Sequence, residues 1–240
     1  MAHFEPLIYR TDRSELFAHI SLETLGPAFT GGSLDKRMNL RREIETRFDG
    51  KAFQRPLIDA YPQGLRFRLS EGGSSIEQFL CAHRKALEIC SDIFEPNATL
   101  VVCIRFWSNA SLFAGRTVIS ELHSAGIEFP QKRCVWSEPV EEKRFADTTS
   151  PARWVTIAFE VPTTLLQNLL WCALVTDFVG IRPRPGCLVY LIDLKKEILV
   201  FPYDDRGMDV ISPNQILLKA LYAKYFQHLI SESQVSRSQT

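Results

Sequence analysis

The residues most capable of chemistry are concentrated near the C-terminus, in the segment PYDDRGMDVI at positions 202–211. Asp204, Asp205 and Asp209 supply three carboxylates within six positions, and Arg206 adds a guanidinium. Adjacent aspartates repel each other, which raises the pKa of one of them, whereas a neighbouring arginine lowers it. Such a group could serve as a general base, bind a divalent cation or bind a cationic group of a partner.

The same residue types are also typical of tight turns with a purely structural role. In that interpretation Gly207 adopts the left-handed conformation, and an aspartate accepts backbone N–H bonds. Arg206 then forms an ion pair with Asp204 or Asp209. The pattern therefore leaves both interpretations open, and it names as candidate binding residues Asp204, Asp205, Arg206 and Asp209.

Signature motifs of common catalytic and cofactor sites are missing from the sequence. It has no GxxxxGK[ST] or GxGxxG phosphate loop, no GxSxG elbow and no HExxH zinc helix. Its five histidines are far apart, and His83 lies on an apolar helical stripe, as a core histidine would. A cysteine–histidine pair stays open, because such partners meet only in space. We therefore expect no cofactor and no metal, and the sequence identifies no catalytic residue.

Charge and hydropathy exclude several classes of function. The 240 residues carry 28 basic and 28 acidic side chains, so the formal net charge at pH 7 is zero. Binding to bulk nucleic acid or to an anionic membrane needs uncompensated basic residues, so neither is expected. No apolar run has the length of a membrane span, and the N-terminus lacks a signal-peptide core. The six cysteines form no CxxC pair and lie among apolar residues, so we expect buried free thiols and a cytoplasmic location.

Hydrophobic periodicity predicts the elements that must position these residues. Helices are expected over 34–48, 75–94, 111–124, 164–177 and 213–231. Strands are expected over 65–69, 99–107, 132–136, 154–161, 187–194 and 197–203. The last two strands flank Lys195-Lys196, a short polar connection that indicates a hairpin. This order favours an α+β fold, with a mixed, largely antiparallel sheet and helices packed on it, in a single domain.

Local signals refine the helix that follows the first strand and the last helix. Ser75 with Gln78 suits a capping box, and Ile76 and Leu80 belong to the apolar stripe of the same helix. Ser212 is expected to cap the last helix, with a proline in the first helical position.

The chain is expected to have three parts. Residues 1–33 are a weakly patterned lead-in that ends in a Thr-Gly-Gly-Ser linker, and the α+β domain follows over 34–231. Residues 232–240 are a polar tail, which we expect to be frayed. Within the domain, the polar stretch 138–150 is predicted to be a loop.

Several segments together resemble a bacterial family of unknown function whose members carry a tyrosine-aspartate-aspartate-arginine-glycine turn. The resemblance rests on PYDDRGMDVI, the preceding CLVYLIDLKKEILVF and the following LYAKYFQHLI. Further upstream, GLRFRLS and IEQFLCAHRKALEICSDIF occur in the same order, and Asp177-Phe178 also fits. The similarity covers roughly residues 56–231 and implies a cytoplasmic single-domain α+β protein with no established reaction.

Two classes of function are compatible with these observations. The first is a protein-binding module, because small cytosolic bacterial proteins of this kind often act as immunity proteins that neutralise a cognate toxin by binding it. This step is an analogy between classes. An acidic rim around Asp204, Asp205 and Asp209 would then suit a basic, nucleic-acid-cleaving partner.

The second class is a hydrolase or transferase with its site at the Asp204–Gly207 turn. Asp204 or Asp205 would be the general base or a metal ligand, and Arg206 would hold an anionic substrate group. A structural or regulatory subunit is a third interpretation that the sequence leaves open.

Overall fold

The computed structural model describes residues 34–109, 115–140 and 152–230. The predicted lead-in, its linker, the C-terminal tail and most of the predicted 138–150 loop therefore lie outside the described residues. The start of the predicted 111–124 helix also lies outside them, at residues 111–114.

The described chain alternates between helices and antiparallel strands. The helices are α1 (Leu34–Arg47), α2 (Leu57–Ala60), α3 (Ser75–Ile93), α4 (Arg116–Ser124), α5 (Leu166–Leu174) and α6 (Gln215–Tyr225). The strands are β1 (Leu65–Arg68), β2 (Thr99–Asn109), β3 (Cys134–Pro139), β4 (Ala152–Pro162), β5 (Leu188–Asp193), β6 (Ile198–Asp204) and β7 (Gly207–Ile211). Short 3-10 turns precede and follow α5, at Thr163–Leu165 and Val175–Asp177, and another follows α6, at Phe226–His228.

The seven strands of the described residues form one sheet in the order β1-β7-β6-β5-β2-β4-β3. Every pairing in this sheet is antiparallel, and β5 and β6 form the predicted hairpin. The α+β prediction is therefore confirmed. The prediction allowed a mixed sheet, but no parallel pair occurs among the described strands.

The sheet carries a hydrophobic layer on each face, because successive residues of a strand point to opposite sides. In β2, Val102 and Ile104 join the larger layer, which contains buried residues of α3, α4, α5 and α6. Val101 and Cys103 join the smaller layer, in which Ile44 of α1 and the first residue of α2 are fully buried. Both faces of the central strands are thus covered, which explains why β2 reads as a nearly continuous apolar run.

The principal correction to the predicted elements is β7. The residues after Asp204 were expected to be a turn that leads into the last helix. Instead the turn returns the chain along β6, and all five residues of β7 are buried. This strand was not predicted from the sequence, because it contains Gly207 and Asp209 and both residue types are depleted in strands.

Two further boundaries differ because strands continue into residues that looked polar or helical. Glu138 and Pro139 belong to β3 and pair with β4, although they were predicted to begin a loop. Pro162 ends β4 opposite Thr99 and does not open the following helix. Proline is tolerated in this position because it lies at a strand end.

Both predicted helix caps are displaced along the chain. The capping box of α3 is formed by Ser74 and Glu77, one residue before the predicted pair. The cap of α6 is Asn214, whose Oδ1 accepts backbone N–H bonds from Ile216 and Leu217, while Ser212 lies outside the helix. In each case two residues close together in the sequence have side chains that can cap a helix, and the sequence pattern alone does not determine which of them does so.

The predicted burial of α3 is only partly correct. Ile76 and Leu80 were assigned to its apolar stripe, but they are 63% and 58% exposed. The helix is buried through Phe79, Ala82 and Ala86, which shifts the buried face to one side of the expected stripe.

The six cysteines are free, and four of them are buried while Cys81 and Cys134 are half-buried. In the part of the chain that the structure describes, no helix combines the length and apolar character needed to cross a membrane.

Candidate functional site at the β6–β7 turn

The turn between β6 and β7 is a tight connection whose shape depends on Gly207. Asp204 pairs with Gly207, and the register of the two strands shifts between Pro202 and Asp204. The expected left-handed conformation of Gly207 is absent. A glycine is needed there for space, because a Cβ atom would lie 1.9 Å from the Tyr203 hydroxyl oxygen and 3.0 Å from the Phe67 carbonyl oxygen.

Asp204 holds the turn together from inside. Its Oδ1 accepts the backbone N–H of Arg206 at 2.8 Å, and its Oδ2 accepts the Nε–H of the same arginine at 2.9 Å. The Nη2 of Arg206 also donates to Oδ2. The Asp204 carboxylate is therefore neutralised within the turn, as one of the two alternatives predicted.

Arg206 is the charged side chain that the turn presents to solvent. Its side chain is 77% exposed, and its carbonyl accepts the N–H of Leu69 at 2.9 Å. The hydrogen bond and charge of Asp204 raise the pKa of Arg206, and the charge of Asp177 adds to this effect. The guanidinium is thus fixed on one edge while the rest of it faces outward.

Asp205 has no arginine or lysine partner within the turn. It is 6% exposed, and the hydroxyl of Ser70 lies 3.3 Å from its Oδ2. Burial raises the pKa of Asp205, the charge of Asp204 raises it further, and Asp177 acts in the same direction. The expected repulsion between the adjacent aspartates is therefore present, and it acts on the second of them.

Asp209 is separated from this group by its position in β7. It lies opposite Arg66 of β1, whose Nε and Nη2 donate to its two carboxylate oxygens at 2.7 and 2.9 Å. This hydrogen bonding raises the pKa of Arg66. Burial raises the pKa of Asp209, which is 1% exposed, although Arg66 and the Ile58 backbone N–H oppose the shift.

The four predicted residues thus belong to two arrangements. Asp204, Asp205 and Arg206 form the turn itself, whereas Asp209 belongs to a bidentate ion pair between strands. The expected acidic rim does not form, because each of the three carboxylates is at least nine-tenths buried. Among the described residues, no group of histidine, cysteine, aspartate and glutamate side chains is arranged to hold a metal ion.

Two residues around the turn lie outside the motif, and the contact made by a third was not predicted from it. Ser70 and Arg66 come from β1 and the residues just after it, and they meet the turn because β1 pairs with β7. Tyr203 was part of the motif, but its contact with Gly207 follows from the register shift. The alternation of apolar and charged residues over Leu65–Leu69 predicted that Arg66 lies on the polar face of a strand. It did not predict the pairing with Asp209, because β7 was not recognised as a strand.

A surface cavity of about 320 Å³ lies away from the turn. Its lining residues are Ala125, Gln167, Asn168, Trp171, Arg182 and Pro183. The carbonyl of Gln167 lies 3.0 Å from the Nε2 of His83, whose ring stacks on Phe79. His83 is therefore held between two helices, and neither it nor this cavity meets Asp204.

Replacement of Arg66 by alanine should destabilise the protein strongly, because it leaves the buried Asp209 carboxylate without its partner. We expect the free energy of unfolding in urea to fall by about 3–5 kcal/mol. Arg47→Ala is the matched control, since its ion pair with Glu197 is exposed at 36% and 43%. That variant should lose less than about 1 kcal/mol. Equal losses in the two variants would contradict the importance of the buried pair.

Replacement of Gly207 by alanine should force the Tyr203 ring away from the turn. We expect a loss of about 1–3 kcal/mol in the same urea measurement, as for other overpacked sites. Gly180→Ala provides the control, because a Cβ at that position meets no atom within 4 Å. If Gly207→Ala were no more harmful than Gly180→Ala, the close approach of Tyr203 would not determine the turn.

Comparison with known proteins identifies a family that includes the turn. A family model described as a domain of unknown function (DUF3885) matches residues 40–233, a range that includes every described strand and the whole turn. No curated protein and no solved structure matches the chain. Because the match covers most of the sequence, this chain belongs to the DUF3885 family of unknown function.

Proposed function

We propose that this chain is a protein-binding module whose binding surface lies beside the β6–β7 turn. The observation that carries the proposal is that three exposed apolar side chains and one exposed arginine belong to elements that contact one another. Ile76, Leu80 and Val179 are 63%, 58% and 73% exposed, and the Arg206 side chain is 77% exposed. We call these four residues the α3 patch.

The contacts between the underlying elements support the continuity of the α3 patch. The ring of Phe79 in α3 contacts the ring of Phe178 at 5.4 Å, which brings Val179 to the start of this helix. The thiol of Cys81 donates to the Leu69 carbonyl at 3.6 Å, and the N–H of Leu69 donates to the Arg206 carbonyl. The start of α3, the Phe178 segment and the turn are therefore linked by direct contacts.

The chemistry of the α3 patch favours a protein partner. Large apolar side chains are seldom left exposed in a group unless another molecule covers them, and arginine is enriched in protein interfaces. Asp204 restrains the guanidinium of Arg206 before any partner arrives, so little side-chain entropy is lost on binding. The fitting partner has an apolar surface with a carboxylate that accepts the remaining N–H groups of Arg206.

In its sharpest form the proposal is an immunity function, in which the partner is a toxin whose active site is covered on binding. Such blocking requires a complementary surface and no catalytic group in this chain. The exposed arginine changes the expected complementarity, because it suits an acidic patch on the toxin and not the basic one that an acidic rim would have required.

Co-expression with the product of the neighbouring reading frame tests this proposal. The unaltered chain should co-purify with that product and protect cells that express it. The double variant Ile76→Asp with Leu80→Asp should weaken the complex by at least about tenfold, because two charges would enter an apolar interface. Ile216→Asp is the matched control, since Ile216 is 83% exposed on α6, and it should bind normally.

The outcomes separate the two parts of the proposal. Absence of both complex and protection would reject the immunity function. A complex that survives the double variant but is lost with Ile216→Asp would place the interface on α6 and reject the α3 patch. Melting temperatures of the variants would verify that each is folded.

Asp205 supports a second candidate, a hydrolase or transferase with its site at the turn. A carboxyl group with a raised pKa beside a hydroxyl is a typical general acid or base, and Asp205 has both features. Asp177 would be the additional polar group of such a site, because its charge acts on both Asp205 and Arg206.

Asp205→Asn tests this candidate with p-nitrophenyl acetate and p-nitrophenyl phosphate as probes. If the turn is catalytic, hydrolysis should fall by about 100-fold or more. Because the pKa of Asp205 is raised in the folded protein, its charged form opposes folding, and the related stability falls as pH rises through that pKa. The neutral asparagine should therefore be at least as stable at pH 8.

Glu160→Gln is the control, since Glu160 is an exposed carboxylate on β4. It should leave any hydrolysis unchanged. Failure of the unaltered chain to hydrolyse either probe, or full activity of Asp205→Asn, would reject catalysis of these reactions by the turn.

A further inference from the structure

Four buried polar atoms without hydrogen-bond partners lie close together on the sheet face that carries the smaller hydrophobic layer. They are Arg105 Nε, Trp136 Nε1, Thr156 Oγ1 and the Tyr190 hydroxyl. Their residues are 8%, 7%, 0% and 0% exposed. We call these four residues the Arg105 cluster. A buried polar group without a partner is unfavourable, so four in one place require an explanation.

Strand register brings the Arg105 cluster together. Arg105 of β2 lies opposite Thr156 of β4, which in turn lies opposite Trp136 of β3. Tyr190 of β5 pairs with Cys103, two residues from Arg105 on the same face of the sheet. Burial raises the pKa of Tyr190, and the charge and contact of the neighbouring Arg105 side chain oppose this rise. The two side chains are therefore adjacent, although the Tyr190 hydroxyl and the Arg105 Nε form no hydrogen bond of normal geometry. In the order of strands the cluster extends from β5 to β3, whereas the turn joins β6 to β7.

The guanidinium of Arg105 is held in place while part of it stays unused. Its Nη1 donates to the carbonyl of Phe53 at 3.2 Å, and its Nη2 donates to Glu138 at 3.0 Å. These two bonds restrain the plane of the group, and its Nε–H has no acceptor. The Nε–H of this guanidinium is therefore a free donor for an acceptor atom on a ligand.

The surroundings carry an excess of positive charge. Glu138 is shared by Arg105 and Arg41, and Arg41 also pairs with Glu45. Burial lowers the pKa of Arg105, and the nearby like charge of Arg55 acts in the same direction. Three arginines therefore face two glutamates, which leaves one positive charge near the buried Nε–H.

All four unpartnered groups can donate a hydrogen bond, and the Arg105 and Trp136 nitrogens can only donate. A ligand that satisfies them together must offer several acceptor oxygens, and the excess positive charge favours an anion. We propose that the Arg105 cluster binds the oxyanion group, carboxylate or phosphate, of a small ligand.

Aromatic rings next to the cluster suit the rest of such a ligand. Phe53 and Trp154 both lie within about 5.3 Å of the Arg105 guanidinium, and Arg55 lies 5.2 Å from the Trp154 ring. Trp107, which pairs with Trp154 across the strands, is 40% exposed. Arg55 is exposed and the tryptophans are partly exposed, so a ligand would approach the buried atoms from this side by displacing these side chains.

Thermal unfolding in the presence of simple oxyanions tests the proposal. Sodium phosphate and sodium benzoate are the probes, and sodium chloride at equal ionic strength is the reference. At least one probe should raise the melting temperature above the chloride value in a concentration-dependent manner, because it binds the folded state. A response to phosphate alone or to benzoate alone identifies which oxyanion the site prefers.

Variants of the Arg105 cluster locate the effect. Arg105→Met should weaken the response by at least about tenfold, because it removes the charge and the fork of donors. Thr156→Val and Tyr190→Phe remove one hydroxyl each with little change of shape. They should weaken binding while the unliganded protein stays at least as stable, since the lost hydroxyls have no partner.

Arg184→Met is the matched control, because the Nε of Arg184 is also buried and unpartnered but belongs to the segment before β5. It should leave the response unchanged. The indole N–H of Trp136 provides a second measurement, since the four tryptophans give four indole signals in a ¹H–¹⁵N spectrum. The Trp136 signal should shift with phosphate or benzoate and not with chloride.

A rise in melting temperature no larger than that with chloride would overturn the proposal and indicate that only buried water hydrogen-bonds to these atoms. A response that persists in Arg105→Met, or that disappears equally in Arg184→Met, would also overturn it.

Discussion

The bidentate pair between Arg66 and Asp209 is the interaction on which the geometry of the β6–β7 turn depends. It joins the edge strand β1 to β7 in register, and the Asp209 carboxylate also accepts the N–H of Ile58 at the start of α2. The guanidinium of Arg66 lies 5.4 Å from the Tyr203 ring. Tyr203 in turn covers Gly207, so its ring connects the ion pair to the turn.

This dependence explains why a segment with three carboxylates does not form an acidic surface. Asp209 is used between strands and Asp204 within the turn, each by an arginine that neutralises it. Breaking the first pair is unfavourable because the carboxylate is buried and water cannot replace the lost donors. Only Asp205 is left without a cation, and burial and the charge of Asp204 raise its pKa. The turn therefore offers one exposed guanidinium, and not the acidic group that its composition suggests.

Local patterns were sufficient to predict the fold class but not the contacts of the site. The alternation in Leu65–Leu69 and the apolar run of β2 correspond to real strands, because both patterns follow directly from burial on one or two faces. β7 was missed because its buried aspartate looks like a turn residue until Arg66 is placed opposite it. The exposure of Ile76 and Leu80 was likewise not visible, since helical periodicity identifies a stripe and not the neighbour that covers it. The Arg105 cluster depends on the register of four strands, which no single segment encodes.

The two proposed sites use arginine in different environments, and burial determines what each can recognise. Arg206 is largely exposed, where an ion pair contributes only about 0.2–1 kcal/mol because water screens it. A partner at the turn must therefore gain most of its affinity from the apolar side chains beside Arg206, which requires a surface as large as a protein's. Arg105 is buried, and the low local dielectric strengthens its interaction with a charge several-fold. A small oxyanion needs no large apolar area to bind there. The same side-chain type thus favours a macromolecule at one end of the sheet and a small anion towards the other.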